Sequence, residues 1–170
     1  MKTPGVLLLT LAVLTRGAAA QAVATMREVW AGPIGFVTQA AEQVPESLYA
    51  YRPTASVRSF GQLIGHVAGA QYLICAAALG EAGRSEDDIE KSVTTKTGLV
   101  AALKASTAYC EKAYAQTDAA AQQHGQLFGQ DRTRLFMLGI NAAHNDEHYG
   151  NIVTYMRINR MVPPSSQPPQ

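Results

Sequence analysis

Apolar residues recur at steps of three and four along four stretches of the chain, the period of a helix that buries one face, and beyond residue 20 almost nothing alternates as a strand does. The first stretch spans about residues 22–44 and carries Gly32, Pro33 and Gly35 in its middle. Pro33 lacks the N–H for an internal bond and is expected to kink or split this helix, and Pro45 ends it. A loop over about residues 45–54 leads to a second helix, residues 57–79, capped by Thr54 or Ser56. Phe60, Leu63, Ile64, Val67, Ile74 and Ala78 form its apolar face, and Gly80 and Gly83 stop it. Residues 81–91 are polar and read as a loop. Thr94 or Thr95 then caps a third helix over about residues 96–116, with Leu99, Leu103, Cys110 and Tyr114 on its inner side. A second polar stretch, residues 117–130, holds His124, and Asp131 is the expected cap of a last helix reaching about Met161.

Four such helices joined by polar loops can hide their stripes only against one another. The predicted fold is therefore all-α, a four-helix bundle in one domain over residues 21–164. Pro163 and Pro164 stop the last helix, and residues 165–170 are expected to form a flexible tail.

The first twenty residues follow another rule. Lys2 precedes an apolar run over residues 6–14, broken only by Thr10, and Ala18, Ala19 and Ala20 supply the small residues of a cleavage site. A bilayer needs roughly 20 apolar residues, so a cleaved secretory signal over residues 1–20 fits better than a span, with Gln21 starting the mature chain. The alternative is an uncleaved N-terminal anchor. Without a Cys after the run no lipoprotein anchor is expected. The expectation is a periplasmic or secreted protein with no stable membrane anchor after cleavage. There, Cys75 and Cys110 either pair, if their helices are neighbours, or remain two small buried hydrophobes. Charge changes little: 14 Lys+Arg against 13 Asp+Glu gives no basic excess for a nucleic-acid partner.

The chemistry concentrates in the last helix. His144 and His148 are four residues apart, so both imidazoles lie on one face and can reach one ion. They belong to a stripe of Met137, Asn141, His144, His148, Ile152 and Tyr155, apolar or aromatic at its ends and polar in its middle. A polar island on a core-facing stripe is costly unless satisfied, and a metal would satisfy it. A histidine pair alone also suits a solvated helix edge. His66, at the edge of the second helix's apolar face, is the candidate third ligand, or by itself a satisfied boundary histidine. Three histidines with one open position is the arrangement of catalytic zinc. His144 to His148 also reads H-x-x-E-H, which would make Glu147 the general base of a zinc peptidase; the short chain without substrate-binding strands argues against it. Tyr149, beside a ligand, packs in the core or donates a hydrogen bond in the site. Arg52 and Arg58 bind an anionic substrate or are solvated, and His124 is expected to be solvated.

The segment Gln62-Leu63-Ile64-Gly65-His66-Val67-Ala68-Gly69-Ala70-Gln71 resembles the second-helix motif of the DinB/YfiT-like family, and His144 to Asn151, reading H-N-D-E-H-Y-G-N, resembles its last-helix motif. The resemblance covers roughly residues 25–164. It implies an up-down-down-up bundle with His66, His144 and His148 as metal ligands, zinc or nickel as the metal, and a homodimer as a common state. Better-known relatives are thiol-dependent: some conjugate low-molecular-weight bacterial thiols to electrophiles, and one isomerises a thiol adduct. Relatives often carry Arg after the final ligand, where this chain has Tyr149. The expected function is an exported metal-dependent enzyme, a thiol-dependent transferase or a hydrolase on a small molecule. The alternative is a non-catalytic metal-binding or stress-response bundle, and a bundle without metal is the third reading.

Overall fold

In a computed structural model, residues 21–83 and 85–168 are described, so the signal expected over residues 1–20 lies outside the described residues. Helix α1 (Ala22–Gln43) runs through Pro33 without a break, so the helix is not split there. The carbonyl that Pro33 leaves without a donor is that of Val29, four residues earlier. Val29 is 52% exposed, so water reaches that turn. The first N–H groups of α1, from Ala22 and Val23, bond to the Asp118 carboxylate at 3.1 and 2.9 Å.

A short 3-10 turn, Glu46–Leu48, and an irregular loop lead to α2 (Phe60–Leu79). This helix starts later than its sequence suggests, because Ser59 caps it and not Thr54 or Ser56. Ser59 Oγ accepts the Gln62 N–H at 3.3 Å while Gln62 Oε1 accepts the Ser59 N–H at 2.9 Å. These are the two reciprocal bonds of a capping box. The Thr54 and Ser56 hydroxyls bond to each other, at 3.0 Å, out in the loop.

The polar stretch read as a loop contains α3 (Asp87–Ser92), which has no buried residue of its own. It lies against α2 because two glycines leave room. A Cβ on Gly69 would sit 1.8 Å from the Glu86 carbonyl oxygen, and one on Gly65 would sit 2.8 Å from Glu90 Cα. Helix α4 (Lys96–Ala113) follows, capped by Thr95 and shorter than expected.

The second polar stretch is also ordered. It forms α5 (Asp118–Ala121) and a hairpin of β1 (His124–Leu127) with β2 (Gln130–Thr133), His124 opposite Thr133. The hairpin turns on Phe128 and Gly129, both at positive φ (51° and 73°), as a two-residue turn between twisted strands demands. Asp131 is thereby part of β2, and the cap of α6 (Arg134–Ile158) is Thr133. The segment after Pro163 is held as well. Pro164 is buried, the Ser165 N–H bonds to Tyr149 Oη at 2.9 Å, and the Gln167 amide donates to Gln43 Oε1 at 3.0 Å. The tail expected to be flexible is therefore tied down as far as Gln167.

The four long helices form a bundle of ring order α1–α6–α2–α4. The end of α1 meets the starts of α2 and α4: Gly61 N–H bonds to the carbonyl of Tyr49 and Lys96 Nζ to that of Val44. The end of α6 meets the start of α2, where Tyr155 Oη donates to the Arg58 carbonyl at 2.8 Å. So α2 and α4 point opposite to α1, and α6 points with it, which is the up-down-down-up order. The core gathers around α2, with Trp30, Ile64, Ile74, Leu103, Met137 and Ile152 among its buried side chains. Helix α2 is long and apolar enough to cross a membrane, yet 72% of that window is buried among its neighbours, as in the core helix of a bundle. Cys75 of α2 and Cys110 of α4 form a disulfide with Cα atoms 5.3 Å apart.

Candidate metal centre

His66 sits on the side of α2 that faces α6, and His144 and His148 sit one turn apart on the side of α6 that faces α2. Their ring nitrogens converge. His144 Nε2 lies 3.1 Å from His66 Nε2 and 3.0 Å from His148 Nε2, and all three offer a nitrogen within 4.8 Å of one another. Protons alone satisfy this geometry poorly. The Nε2 of a neutral imidazole has one site, a proton or a lone pair, so His144 can make one linear hydrogen bond through it and two neighbours must share that site. A cation receiving all three lone pairs satisfies it better. Metal–nitrogen bonds of about 2.0–2.1 Å in a tetrahedral arrangement place ligand nitrogens about 3.3 Å apart, close to what is seen.

Electrostatics agree with the geometry. Burial lowers the pKa of each of His66, His144 and His148 to about 4. The Arg58 guanidinium and a neighbouring imidazole contribute to each of these shifts, after burial. Near neutral pH the three rings are uncharged, the state in which imidazole binds metal. With the Nε2 lone pairs turned inward, the Nδ1 atoms carry the protons. His66 Nδ1 then lies 3.7 Å from Glu90 Oε2, near but beyond hydrogen-bond distance, and makes no hydrogen bond among the described residues. His148 Nδ1 is 3.4 Å from the Asn151 amide, and His144 Nδ1 is buried without a hydrogen-bond partner.

The polar island expected on α6 proves to be divided. Asn141 donates to Tyr114 Oη at 3.2 Å, and Asn145 donates to Gln71 Oε1 at 3.4 Å. Gln71 also accepts from Trp30 Nε1 at 3.1 Å and donates to Ser106 Oγ at 2.9 Å. The asparagine amide N–H groups thus draw on buried hydroxyl and amide partners while their Oδ1 atoms have none, and the histidines face one another.

His148 opens onto a groove of about 580 Å³ whose lining includes Arg52, Arg58, Glu90, Glu147 and Tyr155. Glu147 stands exposed at its edge, one residue before a candidate ligand. Tyr149 does not join it: its ring stacks on Phe36 at 5.1 Å, and its hydroxyl donates to Ser165 Oγ at 2.8 Å. His124 is far along the chain in the hairpin, exposed and 3.0 Å from Asp131 Oδ1. Glu90 is the residue sequence reasoning missed. It bonds Arg58 Nε at 2.9 Å and approaches His66, reaching both because α3 rests on Gly65 and Gly69. Glycine at every fourth position of α2 (Gly61, Gly65, Gly69) signals such a close approach in the sequence, without saying which segment makes it.

Three neutral imidazoles converging between two core helices, with one of them lining an open groove, define a helical-bundle protein able to hold a metal ion. Residues 37–152 match the family model described as the DinB superfamily, and the chain belongs to that superfamily. Two solved structures share the fold. One is a DinB-like protein from Bacillus cereus, 14% identical, with TM-score 0.69 over 82% of this chain and 93% of that one. The other is a DinB-like protein (YjoA) from Bacillus subtilis, 18% identical, with TM-score 0.57 over 84% and 98%. No protein of curated function matches the sequence significantly.

Proposed function

We propose that this chain is an exported metal-dependent enzyme that holds zinc or nickel on His66, His144 and His148 and acts on a small molecule, as a thiol-dependent transferase or a hydrolase. The observation that carries the reading is the convergence of three Nε2 atoms, two of which must share the single site on the third. The groove beside His148 favours catalysis over a structural role, since structural sites are closed and catalytic ones keep a position open. The disulfide supports export, because such bonds persist in oxidising compartments. A divalent ion bound there supplies Lewis acidity. The chain's own residues do the remaining work: burial keeps the ligands uncharged, Glu90 places a carboxylate 3.7 Å from His66 Nδ1, and Glu147 stands where it can take a proton from a group entering the groove.

The test is elemental analysis of the chain from Gln21 onward beside a His148→Ala variant. About one zinc or nickel per chain, lost in the variant, is expected. Conjugation of a thiol to an electrophilic dye and hydrolysis of an activated ester are then assayed with and without chelator. No stoichiometric metal after incubation with either ion overturns the reading. Bound metal without metal-dependent turnover in either assay moves the chain to a non-catalytic role.

A further inference from the structure

Four charged side chains line the groove beside His148: Arg52, Arg58, Glu90 and Glu147. Their formal charges cancel, and the histidines add none near neutral pH. With a divalent ion on the histidines the groove therefore carries a net positive charge, and the arrangement of the arginines gives that charge a direction. Arg58 spends its Nε on Glu90 at 2.9 Å. No hydrogen bond is made by its two terminal amino groups among the described residues. Its backbone carbonyl is held by Tyr155 Oη at 2.8 Å, so both ends of the residue are anchored. Arg52 lies further out and is tethered through one amino group to Gln62 Oε1 at 2.9 Å. An anchored guanidinium with a free edge, beside a metal site and in an open groove, is an acceptor-seeking surface.

Resting on the metal reading above, we infer that the groove selects ligands bearing a carboxylate, which Arg58 with Arg52 receives through its free amino groups while a second, metal-seeking atom of the same ligand reaches the histidine cluster. Glu90 is then a positioning residue for both halves of the site, holding Arg58 on one side and facing His66 on the other. Neutral molecules that offer only the metal-seeking atom bind at one point. Carboxylate-bearing ones bind at two.

The test uses cobalt(II)-loaded protein, in which a thiolate reaching the metal changes the visible spectrum. The probes are mercaptoacetate, a thiol with a carboxylate, and 2-mercaptoethanol, a thiol without one. A charge-assisted hydrogen bond predicts that mercaptoacetate binds at least about tenfold more tightly. In Arg58→Met the ratio falls to about one, while cobalt content stays at one per chain. In Arg52→Met, a substitution on an exposed loop, the ratio also falls. If Arg58→Met does not fold, Arg52→Met decides. Equal affinities for the two thiols in the wild type, or an unchanged ratio in the folded variants, overturns the carboxylate inference and leaves the metal site standing. Failure to bind cobalt at all removes the metal reading and this inference together.

Discussion

The approach of α3 to α2 offers a sharp test, because the same chemical change is predicted to have opposite signs at two places. A Cβ at Gly69 would lie 1.8 Å from the Glu86 carbonyl oxygen, where ordinary contact begins near 3.4 Å. Gly69→Ala therefore forces a backbone shift of about 1.6 Å, and overpacking of that kind costs about 1–3 kcal/mol. A Cβ at Gly35, in the interior of α1, meets nothing within 4 Å. Gly35→Ala should stabilise the protein by about 1 kcal/mol through helix propensity alone. That gain is common to both variants and cancels in their difference, which isolates the steric cost. Taking the upper end, about 3 kcal/mol for so deep a clash with backbone, the melting temperatures should differ by about 6–12 °C for a chain of this size. Thermal unfolding followed by circular dichroism measures this directly. The displaced α3 also carries Glu90 away from His66 and Arg58, so zinc affinity should fall in Gly69→Ala and hold in Gly35→Ala. If Gly69→Ala melts as high as Gly35→Ala, α3 does not rest on α2 and the placement of Glu90 is wrong.

Two further outcomes follow from the buried groups. With folded-state pKa values lowered to about 4, the three histidines stay neutral where the unfolded chain, titrating near 6.5, takes up protons. Metal-free protein should thus lose stability as pH falls from about 6.5 towards 4, and level off below. Urea unfolding in chelator should show a shallower loss in His144→Gln, and equal slopes would refute the assignment. Replacing both Cys75 and Cys110 by Ala opens a bridge spanning 35 residues, and should cost about 3–4 kcal/mol in the same assay by the loop-closure argument. An unchanged urea midpoint would show that the bridge adds no stability.

The helices were legible because their apolar residues keep one period over five or more turns, and the histidine cluster was legible because two ligands share a helix face. What escaped the sequence was short or tertiary. Helix α3 has six residues, too few for a period to emerge, and its place depends on glycines more than fifteen residues upstream. The hairpin is built from polar residues, with only Leu127 buried in β1, so alternation gives no signal. Its turn is marked only by Gly129 after a Phe128 held at positive φ. The cap of α2 was legible in principle, since Ser59 and Gln62 have the spacing of a capping box. Glu90 was not, because its partners lie 24 and 32 residues away in the chain and meet it only through the packing of α3.

The groove and the ligand cluster are built from different material. The three imidazoles stand on α2 and α6, whose side chains fill the core, while Arg52, Arg58 and Glu90 stand on a loop and on α3, which has no fully buried residue and packs Ile89 against the core's edge. Changes in that outer wall cost little folding energy, whereas changes in the ligand helices disturb the whole interior. Evolution can thus vary the guest while conserving the host, and a designer seeking new selectivity should mutate Arg52, Arg58 and Glu90 before touching either histidine-bearing helix.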